Sequence, residues 1–161
     1  KSRVDSLTKL YNRASFDERL ADEINSACQK GLQVSLIMLD VDYFKKVNDN
    51  FGHTAGDKVL SMIAEILIKN AGADGFAARY GGEEFACILP GLDACRAAQL
   101  GEILRAEVEN TVFSVEGKRI PVTISVGVAE RACKTDAVEI INCADINLYK
   151  AKKSGRNRVV S

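Results

Sequence analysis

Ala78-Arg-Tyr-Gly-Gly-Glu-Glu-Phe85 is the stretch on which the reading of this chain turns. It lies between two apolar runs, 75–79 and 85–89, whose composition suits strands. The Gly81-Gly82 pair between them predicts a tight hairpin turn, with the positive φ that such a turn asks of its central residues. Glu83 and Glu84 follow at once. A turn has no need of adjacent carboxylates, and like charges side by side repel. A cation opposite them, most simply a metal ion, is one reading; a solvated acidic hairpin tip is the other.

Upstream, 34–39 is a short continuous apolar run, as expected of a strand covered on both faces. It ends in Asp40-Val-Asp42. Strand alternation places Asp40 and Asp42 on one face, and a carboxylate where a buried strand emerges needs a partner unless it reaches water. Phe44 and Val47 are spaced for a short helical turn. Phe51-Gly-His-Thr-Ala-Gly-Asp57 reads as a glycine-bearing loop running into a helix, whose apolar stripe is Val59, Leu60, Ile63, Ile66 and Leu67. Thr54 and Asp57 stand three apart at its start, so the plain role of Asp57 is capping and dipole stabilisation.

Farther out, 1–14 has no clean period and predicts a lead-in segment with a turn. Residues 15–18 fit a capping box for a helix carrying Phe16, Leu20 and Ile24 and closed by Gly31. Downstream, 72–75 is a loop, 94–108 an amphipathic helix, and 111–115 and 119–129 strands around a Glu116-Gly-Lys118 turn. The small residues around Gly127 suit a strand lying against other backbone. The last helix covers 136–153, with Ile140, Ile141, Ala144, Ile146, Leu148 and Ala151 as its buried side and Gly155 as its stop; 159–160 adds a final strand. This order predicts an α+β fold, an α/β sandwich on the split βαβ plan with a mixed central sheet.

The totals bound the function. At 161 residues the chain suffices for one domain with a real core. Its 22 Lys and Arg balance 22 Asp and Glu, which argues against a nucleic-acid polymer or an anionic membrane as the main partner. Five cysteines without a CxxC pair, namely Cys28, Cys87, Cys95, Cys133 and Cys143, read as buried or half-buried thiols in a reducing, cytoplasmic compartment. With His53 the single histidine, zinc is disfavoured. No run reaches membrane length and no signal peptide opens the chain. The abrupt start at Lys1 reads as a domain cut from a longer protein, one whose full length could carry a membrane anchor.

If Asp40 and Glu83 come from neighbouring strand ends, they can share one divalent cation. All-oxygen ligands suit magnesium, with manganese as the alternative, and a phosphate ester such as a nucleoside triphosphate as substrate. Lys152 and Arg156 could clamp the polyphosphate, or could merely complement the helix dipole. Asn48 and Asp57 could read the guanine edge, where unmade buried hydrogen bonds are costly.

Together these residues resemble a GGDEF domain, the catalytic module of diguanylate cyclases. The likeness rests on Asp5-Ser-Leu-Thr-Lys-Leu-Tyr-Asn-Arg13, on Asp40-Val-Asp-Tyr-Phe-Lys-Lys-Val-Asn48 through Asp57, on Arg79-Tyr-Gly-Gly-Glu-Glu-Phe85 and on Leu148-Tyr-Lys-Ala-Lys-Lys-Ser-Gly-Arg-Asn157. It covers nearly the whole chain. It implies a cyclase-like fold with the signature on a β-hairpin, and condensation of two GTP into cyclic di-GMP across a homodimer. By position it makes Asp40, Glu83 and the Val41 carbonyl the metal ligands. Asn48 and Asp57 are the guanine contacts with Phe44 near the pocket, and Lys152, Arg156 and Lys45 are the phosphate contacts. Glu84 is a candidate base near the ribose 3′-hydroxyl. A regulatory domain would precede residues 1–14. One departure stands out: the inhibitory product site of many members, Arg-x-x-Asp, is here Gly72 and Gly75, so no feedback through it is expected. The alternatives are a non-catalytic member acting as a receptor for GTP or cyclic di-GMP, and a related nucleotide cyclase or polymerase-like enzyme of other base specificity.

Overall fold

The computed structural model describes residues 2–131 and 135–161. Its centre is β1 (Val34–Val41), buried along its whole length. Around it runs a five-stranded sheet in the order β2-β3-β1-β6-β7, with β2 (Phe76–Arg79), β3 (Glu84–Pro90), β6 (Ile124–Glu130) and β7 (Val159–Val160). All pairs are antiparallel except β6 with β7, so the sheet is mixed as expected. A short ribbon of β4 (Phe113–Val115) and β5 (Lys118–Ile120) stands apart.

Alternation along β1 divides the core. Leu36 and Met38 join Phe16, Leu20, Ile140, Ala144 and Leu148 under α1 (Arg13–Lys30) and α5 (Ala137–Lys153). Ile37, Leu39 and Val41 join Val59, Leu60, Ile63 and Leu67 under α3 (His53–Ala71) and α4 (Ala94–Asn110). The short α2 (Phe44–Phe51) leads from β1 into α3. β1, α3, β2, β3, α4 and β6 make the ferredoxin-like βαββαβ core, with α5 and β7 appended. Gly127 is where α5 crosses closest: a Cβ there would stand 2.2 Å from the Ala144 carbonyl oxygen. The reading of that strand as backbone-packed is borne out.

Local expectations fail where side chains found other work. The Asn12 side chain, not Ser15, caps α1, accepting from the Ser15 N–H at 3.0 Å; the Ser15 hydroxyl donates to the Arg3 carbonyl instead. Helix α3 begins at His53 behind Gly52 with no side-chain cap, so Asp57 stands a turn inside the helix and caps nothing. Gly81 and Gly82 do not use positive φ, and the turn closes through Tyr80 and Gly81 N–H groups donating to the Glu84 carbonyl. The expected strand 119–129 is two strands, separated at 121–123, where Pro121 lacks the N–H that a ladder needs. Helix α5 is capped by Asp136 and ends at Lys153 as expected, but its C-cap is Ser154 rather than Gly155, and its Ile146 is exposed. Cys87 is buried, whereas Cys28, Cys95 and Cys143 are exposed; Cys133 lies outside the described residues.

Candidate active site

The site is assembled by strand register. Asp40 stands opposite Glu84 on β3 and opposite Ser125 on β6. The Val41 N–H donates to the Glu83 carbonyl at 3.2 Å. Thus the β1 end and the signature hairpin meet backbone to backbone. Helix α5 packs on the same face as Asp40 and delivers Lys152, whose ammonium ion-pairs with Asp40 Oδ2. Asp40, Val41, Phe44, Lys45, Glu83, Lys152 and Arg156 then line one open cleft of about 200 Å³, together with Asp42 and Tyr43.

Asp40, Asp42 and Glu83 share the cleft with Lys45, Lys152 and Arg156, and the acids crowd around Asp40. Burial raises the proton affinity of Asp40; Lys152 opposes this, and the neighbouring Glu83 and Asp42 add to it. Burial likewise pushes the Glu84 carboxyl up, helped by Asp40 and by Asp145 of α5. Asp42 differs from Asp40. Both of its oxygens are taken, by the hydroxyls of Ser125 and Thr123 and by the Asn157 N–H.

Of the residues singled out in the sequence, Asn48, Asp57 and Glu84 fall outside the lining of that cleft. Asn48 packs with the Phe44 ring against Gly56, where a Cβ would stand 1.9 Å from Asn48 Oδ1 and 3.1 Å from the ring. Phe44 therefore joins the two regions. Asn48 Oδ1 is buried and accepts no hydrogen bond, an omission worth roughly 1–3 kcal/mol unless a ligand donor fills it. Asp57 follows Gly56 and is exposed. Lys45 borders the cleft but pairs with Asp49 at 2.8 Å. Gly72 and Gly75 border a separate groove under the lead-in segment.

Sequence reasoning missed three contributors. Arg79 donates from Nε and Nη2 to the Gly82 carbonyl at 3.2 and 2.8 Å, and from Nη1 to Asp5, tying the hairpin turn to the lead-in segment. Asp42 and Tyr43 hold the tail beyond α5. The signal for Asp42 was its parity with Asp40; for the tail it was Gly155-Arg-Asn157, a run suited to left-handed backbone.

Fold and cleft together define an α+β domain whose acidic strand ends face two cations from the last helix and its tail. Residues 2–158 match the family described as "Diguanylate cyclase, GGDEF domain", and the chain belongs to it. It is 40% identical over 159 residues to diguanylate cyclase DgcP of Pseudomonas aeruginosa, covering 99% of this chain and 24% of that protein. It is 41% identical over 160 residues to response regulator PleD of Caulobacter vibrioides, covering 98% of this chain and 35% of that protein. Its backbone superposes with a TM-score of 0.96 on the GGDEF domain of DgcB from Caulobacter crescentus in complex with c-di-GMP, at 37% identity, over 99% of this chain and 95% of that one. The chain thus spans about a quarter to a third of the length of these two curated relatives. Among the described residues no helix is long and apolar enough to cross a membrane.

Proposed function

We propose that this domain is a diguanylate cyclase, joining two GTP into cyclic di-GMP with release of two pyrophosphates. The observation that carries the reading is the meeting of Asp40, Glu83, Lys152 and Arg156 in one cleft. The residues present fit a divalent cation, which the family uses. The donors are hard oxygens, and the acids around Asp40 raise its carboxyl despite Lys152. Magnesium is commonly held by one or two carboxylates and takes water and substrate phosphate oxygens for its remaining positions. Asp40, Glu83 and the Val41 carbonyl would hold the ion. Bound there, it supplies Lewis acidity toward the attacking hydroxyl and the phosphoryl oxygens.

The chain's own groups do the rest. Lys152 and Arg156, with Lys45 at the rim, hold the β- and γ-phosphates as charge-assisted donors. Asn48 and Asp57 receive the guanine N–H groups beside Phe44; the orphaned Asn48 Oδ1 supports this use. Glu84, whose carboxyl burial pushes above its ordinary value, stands opposite Asp40 in the sheet and receives the 3′-hydroxyl proton. The 3′-oxygen of one GTP bonds to the α-phosphorus of the other as the bond to pyrophosphate breaks. Each subunit presents one GTP, so the product requires two copies facing each other, and catalysis is largely positioning. The 161 residues act as one such module, serving a regulatory region elsewhere in a longer protein.

Purified protein incubated with GTP and magnesium across protein concentrations tests this. Cyclic di-GMP should form at a specific rate that rises with concentration. GTP binding without product, even in an enforced dimer, would replace the cyclase with a receptor.

A further inference from the structure

Arg156 lies on a turn outside any helix or strand. Arg156 and Asn157 both take left-handed φ, 63° and 45°. Two successive non-glycine residues persist there only where the surroundings over-determine them. Asp42 supplies one constraint. It is buried, and its Oδ2 accepts the Asn157 N–H at 3.0 Å and the Thr123 hydroxyl at 2.7 Å, while Oδ1 accepts the Ser125 hydroxyl at 2.6 Å. With three acceptor directions filled, Asp42 has little left for a cation. Tyr43 supplies the other. It too is left-handed, at φ 53°, and begins α2 without a side-chain cap. Its ring centre lies 4.5 Å from the Arg156 guanidinium, and its hydroxyl accepts from Arg156 Nη1 at 3.4 Å. Asn157 is fastened from outside as well, accepting from Arg105 Nη1 at 2.8 Å and donating to Glu109.

We propose that Asp42 and Tyr43 are positioning residues for Arg156: Asp42 fixes the backbone of the tail turn, Tyr43 fixes the guanidinium, and the pair presents a pre-ordered cation to the terminal phosphates of a nucleoside triphosphate. This rests on the reading of Arg156 as a phosphate contact. The two carboxylates of Asp40-Val-Asp42 then have separate duties, one toward the ion and one toward the arginine. Ordering Arg156 beforehand removes part of the entropy that binding would otherwise cost.

The test is calorimetric binding of a non-hydrolysable GTP analogue, and of GMP, each with magnesium. The proteins are the unaltered protein, Tyr43→Ala, Tyr43→Phe, Asp42→Asn, Arg156→Ala and the double variant Tyr43→Ala with Arg156→Ala. Tyr43→Ala should weaken the triphosphate about two- to fivefold, the scale of losing an exposed cation–π contact, and leave GMP unchanged. Tyr43→Phe keeps the ring and should bind nearly as the unaltered protein does. The double variant should be no weaker than Arg156→Ala alone, because Tyr43 acts on the triphosphate through Arg156, even though its ring also lies 4.6 Å from the Lys46 ammonium. Asp42→Asn should repeat the triphosphate-selective loss; should it fail to fold, the exposed Tyr43 decides. Equal losses for GMP and triphosphate, or additive losses in the double variant, would overturn the positioning role. If Arg156→Ala alone binds the triphosphate with full affinity, the phosphate role of Arg156 falls first and the positioning role with it.

Discussion

Two carboxylates flank the signature hairpin and live in opposite circumstances. Asp5, on the lead-in side, receives the Thr8 N–H at 2.9 Å, the Thr8 hydroxyl at 2.8 Å and the Arg79 guanidinium at 3.2 Å. Burial opposes its ionisation, but Thr8 and Arg79 outweigh burial and hold its carboxyl below the ordinary value. Asp40, on the cleft side, has Lys152 as its cationic partner and carboxylates on neighbouring positions, and its carboxyl is held above the ordinary value. A satisfied carboxylate contributes to the fold. An under-compensated one costs stability and is kept where a ligand completes it. The hairpin joins the two: Arg79 anchors its start, and Glu83 near its end lines the cleft.

The contrast can be broken most directly at Glu83. Glu83→Gln should lower cyclic di-GMP formation by about 10²–10³-fold, the scale of losing a principal electrostatic contact to the reacting groups. Its thermal midpoint should not fall, because a like-charge neighbour of Asp40 has been neutralised. A Glu83→Gln protein with full turnover would remove the distinction between the two carboxylates. Next in size is Gly75→Asp. A Cβ there would meet the Ala71 carbonyl oxygen at 2.2 Å, so the change should cost about 1–3 kcal/mol in chemical denaturation. The groove beside Gly72 and Gly75 should correspondingly give the unaltered protein no product feedback. Saturable inhibition by low-micromolar cyclic di-GMP, abolished by changes at 72–75, would contradict this.

The smallest effect sharpens the comparison from the structural side. Asp5→Asn should cost about 1 kcal/mol at neutral pH, discounted for partial solvent screening, with turnover per folded molecule unchanged. Because the folded pKa of Asp5 is lowered, its contribution is present above the unfolded value of about 3.9 and fades as pH falls through the folded value. Denaturation curves of the two proteins should therefore converge in acid. A difference that persisted there would mean that Asp5 acts through packing rather than charge.

What the sequence made legible follows the same division. The continuous apolar run of β1, the strand–glycine–strand pattern of the hairpin and the stripes of α3 and α5 are enforced by burial, and burial has a period that can be counted. The cleft residues were legible because carboxylates at buried strand ends and cations at a helix end are unusual together. Caps and turns were less so. Asn12 rather than Ser15 caps α1 because the lead-in segment, bridged to β2 through Tyr11, engages Ser15. No local pattern reveals a partner 12 residues away. Asp42 and Asp40 look alike in the chain and are told apart by Ser125 and Asn157, distant in sequence and adjacent in space. The exposure of Cys28, Cys95 and Cys143 reflects helix phase, and Cys is too adaptable to announce it.

In the proposed reading, the carboxylates between β1 and the hairpin hold one divalent ion against a triphosphate. A crystal structure with manganese and a non-hydrolysable GTP analogue, read by anomalous scattering, measures it. The expected result is a single ion ligated by Asp40, Glu83 and the Val41 carbonyl, with metal–oxygen distances close to the roughly 2.1 Å typical of octahedral oxygen sites. An ion bound to neither carboxylate, or a nucleotide seated away from this cleft, would contradict it.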